Sequence, residues 1–178
     1  MNAVHDFGFT SIEDARQQLT RCDSYSRLPT LLNMWMNEAD WLQLLGEEWS
    51  SCDNIGHHID ELFNSPMWMS DHAGPAVKRV MMTTEEQAAY DALPEIVTVY
   101  RGCYAQNKWG FSWSLSKDTA ERFPMLNRYK QHGQALLVTS QVKKEKIVAV
   151  KLDRNECEII TFRPKHISTR HIKTAVAA

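Results

Sequence analysis

Apolar residues recur at helical intervals through the first half of the chain and alternate in short runs through the second. Leu31, Met34, Trp35, Leu42 and Leu45 follow Pro29, a residue suited to a helix's first turn, and Gly46 is expected to end that helix. Thr10-Ser11-Ile12-Glu13 opens a shorter helix upstream. Another is predicted over 54–63, and Thr83 and Thr84 cap one over 85–92. Trp35, Trp41 and Trp49 read as packing between helices, and the stretch 67–75 as a boundary or exposed loop. From Pro94 on the texture changes. Residues 96–102, 110–114, 135–142, 147–152 and 156–161 are rich in β-branched and aromatic residues, as strands require. Ser116 caps a helix among them, with Ala120 and Phe123 on one face, and Lys143-Lys144-Glu145-Lys146 reads as a charged turn. Helices first and strands afterwards predict an α+β fold. A helical region, 1–93, is expected to pack on a second part, 94–178, within one compact domain.

The strand-rich half carries the candidate chemistry. In Asn155-Glu156-Cys157-Glu158-Ile159-Ile160-Thr161 the two glutamates stand two apart on what reads as one strand, which aims both at the same face. Carboxylates so placed bind a cation or do acid/base work on a sugar or hydroxyl. Upstream, the first strand ends in Arg101-Gly102, and Gly110-Phe111-Ser112-Trp113-Ser114 forms a second. Taken singly, each has a plainer reading: a strand-end charge, alternating polar positions, the wet face of a strand. Their order is the informative part.

An arginine, a serine motif and a Glu-x-Glu pair in that order on three strands resemble the mono-ADP-ribosyltransferases of the arginine–serine–glutamate class, over residues 98–161. Trp113 departs from the family's usual threonine. The resemblance implies a fold of two small, roughly perpendicular β-sheets with NAD in the cleft between them and helices outside. It implies that Arg101 anchors the NAD phosphates and that the backbone at Gly102 meets the nicotinamide amide. Ser112, with Ser114 beside it, would hold the ribose and Glu158 in place. Glu158 would bind a ribose hydroxyl and stabilise positive charge at C1′, and Glu156 would orient or deprotonate the acceptor. An acidic residue there goes with guanidinium acceptors, so protein arginine is the first target implied. An aromatic ring is expected over the nicotinamide, with Trp113, Phe111, Phe123 and Tyr129 as candidates. The loop Asp153-Arg154-Asn155 would read the target, Arg154 meeting an acidic surface. NAD is thus the expected substrate. The expected setting is a bacterial or phage effector in the host-cell cytosol, acting on a macromolecule, first of all a host protein. Phage members of the group modify polymerase or translation proteins, and some disable CRISPR effectors. An NAD glycohydrolase, and a transferase fold that only grips a partner, are the rival readings.

Composition narrows this further. A net charge of −2 over 178 residues argues against an electrostatic nucleic-acid binder, while leaving nucleic-acid modification through a local patch open. Asp6, Glu13 and Asp14 near the start do not fit a signal peptide, and no apolar run reaches membrane length. Cys22, Cys52, Cys103 and Cys157 are scattered without a CxxC, the pattern of reduced cytosolic thiols. His57-His58-Ile59-Asp60-Glu61 reads as a helix surface, so no metal is expected. No Gly-rich phosphate motif supports a Rossmann or P-loop site.

Overall fold

The computed structural model describes residues 9–69, 79–127, 129–153 and 157–172. Arg154, Asn155 and Glu156 lie outside them, as does most of the expected loop at 67–75. Residues up to Met81 form one compact unit and those from Met82 a second.

In the first unit, α1 (Ile12–Leu19), α2 (Arg27–Leu32), α3 (Glu38–Glu48), α4 (Ile59–Phe63) and α5 (Pro66–Met69) surround a core of leucines and tryptophans. Leu19, Leu28, Leu31, Leu42, Leu45, Trp49 and Leu62 are buried there, and Trp41 donates its indole N–H to the Leu31 carbonyl at 3.0 Å. The single helix expected over 29–46 is two. Asn33 caps the end of α2, and the Asn37 side chain accepts the Asp40 N–H at 2.9 Å to begin α3. Asparagine competes for backbone hydrogen bonds in this way, so it favours helix ends over interiors. Trp35 falls in the break and is 62% exposed, set edge-on against Phe9. Gly46 does not stop α3. It is needed because a Cβ there would stand 2.1 Å from the Met81 carbonyl oxygen.

The second unit holds β1 (Ile96–Cys103), β2 (Ser112–Ser114), β3 (Leu136–Lys143), β4 (Ala149–Lys151), β5 (Glu158–Ile160) and β6 (Lys165–His171), with α6 (Thr84–Asp91) and α7 (Lys117–Arg122). The architecture is α+β. The strands form one antiparallel sheet in the order β4-β5-β2-β1-β3-β6, in place of the two sheets that the resemblance implies. The reason is β2, which is hydrogen-bonded to β5 on one side and to β1 on the other. The two junctions differ greatly in extent. β1 and β3 pair along the whole of β1, whereas β1 and β2 share the single pair Tyr100↔Ser114. α6 belongs to this unit, not to the helices before it. It opens with a capping box in which Thr83 accepts the Glu86 N–H and Glu86 accepts the Thr83 N–H.

Alternation gives the sheet two unlike faces. One carries Val97, Val99, Trp113, Val138, Val142, Val150 and Ile159, all buried. Burying each aliphatic side chain contributes about 1.5–3 kcal/mol, so this face holds the unit together. The other carries Thr98, Tyr100, Ser112, Ser114, Thr139 and Glu158, half-buried or exposed, beside the buried Leu137, Ala149, Lys151 and Ile160.

Candidate active site

Cross-strand partners share a face, and the register draws a line of polar side chains across four strands. Tyr100 on β1 stands opposite Ser114 on β2, Ser114 opposite Glu158 on β5, and Glu158 opposite Lys151 on β4. Ser112 lies on the same face two residues from Ser114. Ser114 Oγ accepts the Ser116 N–H at 3.0 Å, and Ser116 Oγ in turn accepts the Thr119 N–H at 3.2 Å, capping α7 as predicted. The serine strand and the helix after it are thereby locked together.

Arg101 takes a different place from the one expected. Next to Tyr100 in the strand, it falls on the apolar face. Its Nη1 donates to the Ser112 carbonyl at 2.6 Å, and Nε and Nη2 donate to the Asn107 carbonyl at 3.3 and 3.2 Å. Continuing the β1–β2 ladder from Tyr100↔Ser114 would set Gly102 opposite Ser112. Instead the guanidinium takes the Ser112 carbonyl, and the two strands share no further registered pair. Gly110 provides the seat, since a Cβ there would lie 2.8 Å from Nη2. Burial pulls the Arg101 pKa below its ordinary value, with the negative charge of Glu158 opposing it. Glu158 is therefore within electrostatic reach. Three of the five guanidinium N–H groups are committed to carbonyls, and two remain.

The other expected site residues divide. Gly102 lacks a Cβ for a packing reason: one there would stand 1.7 Å from the Ala120 carbonyl oxygen of α7. Trp113 is corrected from a ligand-covering ring to a core residue. It is 2% exposed, on the face opposite Ser112 and Ser114, and donates its indole N–H to the Gly110 carbonyl at 2.9 Å. Phe111 is equally buried and packs on Phe162. Phe123 and Tyr129 stack on each other at 4.5 Å just after α7 and keep partly exposed rings. Glu156 lies outside the described residues. β5 starts at Glu158, and Cys157 before it has φ +43°. Leu115 donates its N–H to the Cys157 carbonyl at 3.1 Å, holding the kink beside β2.

Sequence reading missed Tyr100, Asn107 and Gly110. Tyr100 was legible as the alternation partner of Gly102; the seat for Arg101 was not, since it depends on a loop's path. Among the described residues no group of three or more His, Cys, Asp or Glu is placed to hold a metal ion. Nor is any helix there long and apolar enough to cross a membrane. Compared with family models, curated proteins and solved structures, the chain matches none of them.

Proposed function

We propose that the protein transfers ADP-ribose from NAD to a macromolecular acceptor, releasing nicotinamide. The observation that carries this reading is the placement of Arg101, the Ser112–Ser114 strand and Glu158, in that order of sequence, on the neighbouring strands β1, β2 and β5, with Arg101 bonded to the Ser112 carbonyl. The narrow β1–β2 junction supports the two-leaf form of the transferase fold. β4-β5-β2 and β1-β3-β6 are two three-stranded leaves joined by one registered pair.

The chemistry suits NAD. The bond from ribose C1′ to the nicotinamide nitrogen breaks, and its electron pair leaves with neutral nicotinamide. Positive charge grows at C1′, and the half-buried Glu158 carboxylate faces it while accepting a ribose hydroxyl. Fixed charges of this kind contribute about 10²–10³ in rate. Ser112 and Ser114 orient the ribose and carboxylate. Arg101 braces the β1–β2 junction through the Ser112 carbonyl, and its two remaining N–H groups suit a diphosphate at that junction. The acceptor attacks C1′ and gives its proton to a base, the role that the resemblance implies for Glu156. A protein side chain, first of all arginine, is the acceptor we favour, within a bacterial or phage effector directed at a host factor.

Incubation of host-cell lysate with the protein and biotin-NAD tests this, with free nicotinamide followed by chromatography. Labelled protein bands that vanish with Glu158→Gln are expected. Nicotinamide without label would make water the acceptor. Bound NAD with neither product would leave only a binding module.

A further inference from the structure

The net charge of −2 averages two unlike units. Residues 1–81 hold 12 Asp and Glu against 5 Lys and Arg, a net −7, whereas residues 82–178 hold 10 against 15, a net +5. In the second unit, neither 96–117 nor 159–178 contains an Asp or Glu. The fold brings these two stretches together. Thr161 donates its N–H to the Phe111 carbonyl at 2.9 Å, and Phe162 packs on Phe111 with ring centres 5.0 Å apart. His166 of β6 sets its ring edge-on to Trp109 at 6.0 Å. Trp109 is 40% exposed, and Lys108 Nζ lies 5.2 Å from the centre of its ring. The Arg163 guanidinium stands over Phe162 at 5.0 Å, and Lys165 opens β6, an edge strand whose seven residues are all exposed. Among the described residues no carboxylate pairs with Lys108, Arg163 or Lys165.

We propose that the surface formed by Lys108, Trp109, Arg163, Lys165 and His166 docks single-stranded nucleic acid. Phosphates meet the three cations, and an unstacked base meets the exposed part of the Trp109 ring. The lysine stem is flexible, so Lys108 leaves the ring for a phosphate as the base takes its place. Aromatic stacking beside cations is how proteins hold single strands without reading their sequence. A duplex keeps its bases stacked on one another and offers only its charge. An acidic peptide likewise brings no flat partner for Trp109. A plainer account is that basic residues keep an edge strand from pairing with another chain. That covers Lys165 and Arg170 on β6, and Arg170 is already paired with Glu121. It does not cover Lys108, Arg163 or the exposed indole, all of which lie off the strand. The surface is separate from the proposed active site, because His166 stands opposite Ser140, on the face away from Ser114 and Glu158. It therefore holds whatever Glu158 does.

Fluorescence anisotropy of a labelled oligothymidylate, titrated with the full chain over a series of salt concentrations, tests this. Binding is expected at low salt and should weaken as salt rises, because each phosphate contact releases a counterion. On a single strand log K falls with log salt by about 0.7 per cation engaged. Arg163→Gln/Lys165→Gln, at two exposed positions, should therefore reduce that slope by about 1.4. Trp109→Ala should weaken binding about fivefold or more at fixed salt. Trp109→Phe keeps an aromatic face, and a ring to pack against Trp113, and should restore most of that loss. No binding at low salt overturns the inference, as does a slope that the double variant leaves unchanged. A folded Trp109→Ala variant with undiminished affinity overturns it too. A duplex of the same sequence length bound as tightly as the single strand would remove the stacked base. Polyglutamate bound as tightly would make the surface a dock for an acidic protein, and either result overturns the assignment. NAD takes no part in the experiment, so its outcome is distinct from that of the lysate labelling.

Discussion

The β4 end of the sheet buries a cation and the β1–β2 junction half-buries one, and they handle it in opposite ways. At β4, Lys151 meets a carboxylate that is itself held by two backbone N–H groups. At the junction, Arg101 gives its described hydrogen bonds to the carbonyl oxygens of Asn107 and Ser112. Carbonyl dipoles satisfy a guanidinium's donors without cancelling its charge. A buried charge matched by its opposite closes a structure, whereas one held by dipoles keeps its field for an anion. The junction therefore suits a diphosphate, and the β4 end ties α6 to the sheet.

The largest effect expected from this contrast is at β4. Lys151→Met leaves Glu86 buried without its counter-charge and should cost about 3–5 kcal/mol. Denaturant unfolding measures it, and the double variant with Glu86→Gln should recover most of the loss. A single variant no less stable than the double would mean that water reaches Glu86, and the two ends of the sheet would then be less different than their burial indicates.

Arg101→Lys comes next. Lysine keeps the charge but loses the planar fork, so it cannot serve both the Asn107 and Ser112 carbonyls. A loss of about 1–3 kcal/mol is expected, with NAD affinity by calorimetry weakened about tenfold or more as the junction shifts. Stability lost with unchanged NAD affinity would make Arg101 a strut and nothing more. Gly110→Ala probes the same seat more gently. Its Cβ would crowd Nη2 and Cζ, so a smaller loss, about 1 kcal/mol, is expected alongside a measurable loss of NAD affinity.

What the sequence revealed follows the range of the interactions. Strand existence, strand order in the chain and the cap at Ser116 are set by residues a few positions apart, and they were legible. Even Arg101's face was available, since it is the neighbour of Tyr100. The failures were non-local or conformational. Nothing near Gly46 announces that Met81 passes against it, and nothing near Glu86 announces Lys151. Periodicity assumed an extended Cys157, whereas its positive φ leaves β5 to begin at Glu158. The single sheet, too, depends on which strands β2 joins, a matter of pairing that no short window of sequence contains.

The smallest prediction supplies a baseline for both cations. Ser140, on the apolar face between Val99 of β1 and His166 of β6 in register, is fully buried, and its Oγ has no hydrogen-bond partner. It is a polar group with neither the carboxylate that Lys151 has nor the carbonyls that Arg101 has. Desolvating an unmatched hydroxyl is unfavourable, so Ser140→Ala should be neutral or stabilise the protein by about 0.5–1 kcal/mol in denaturant unfolding. NAD cleavage should be unchanged, since Ser140 is on the face away from Ser114 and Glu158. If removing this hydroxyl destabilised the fold as much as Gly110→Ala does, the apolar face would have to admit a water that bonds to it. The low-dielectric surroundings that give Arg101 its reach towards an anion would then be weaker than the packing implies.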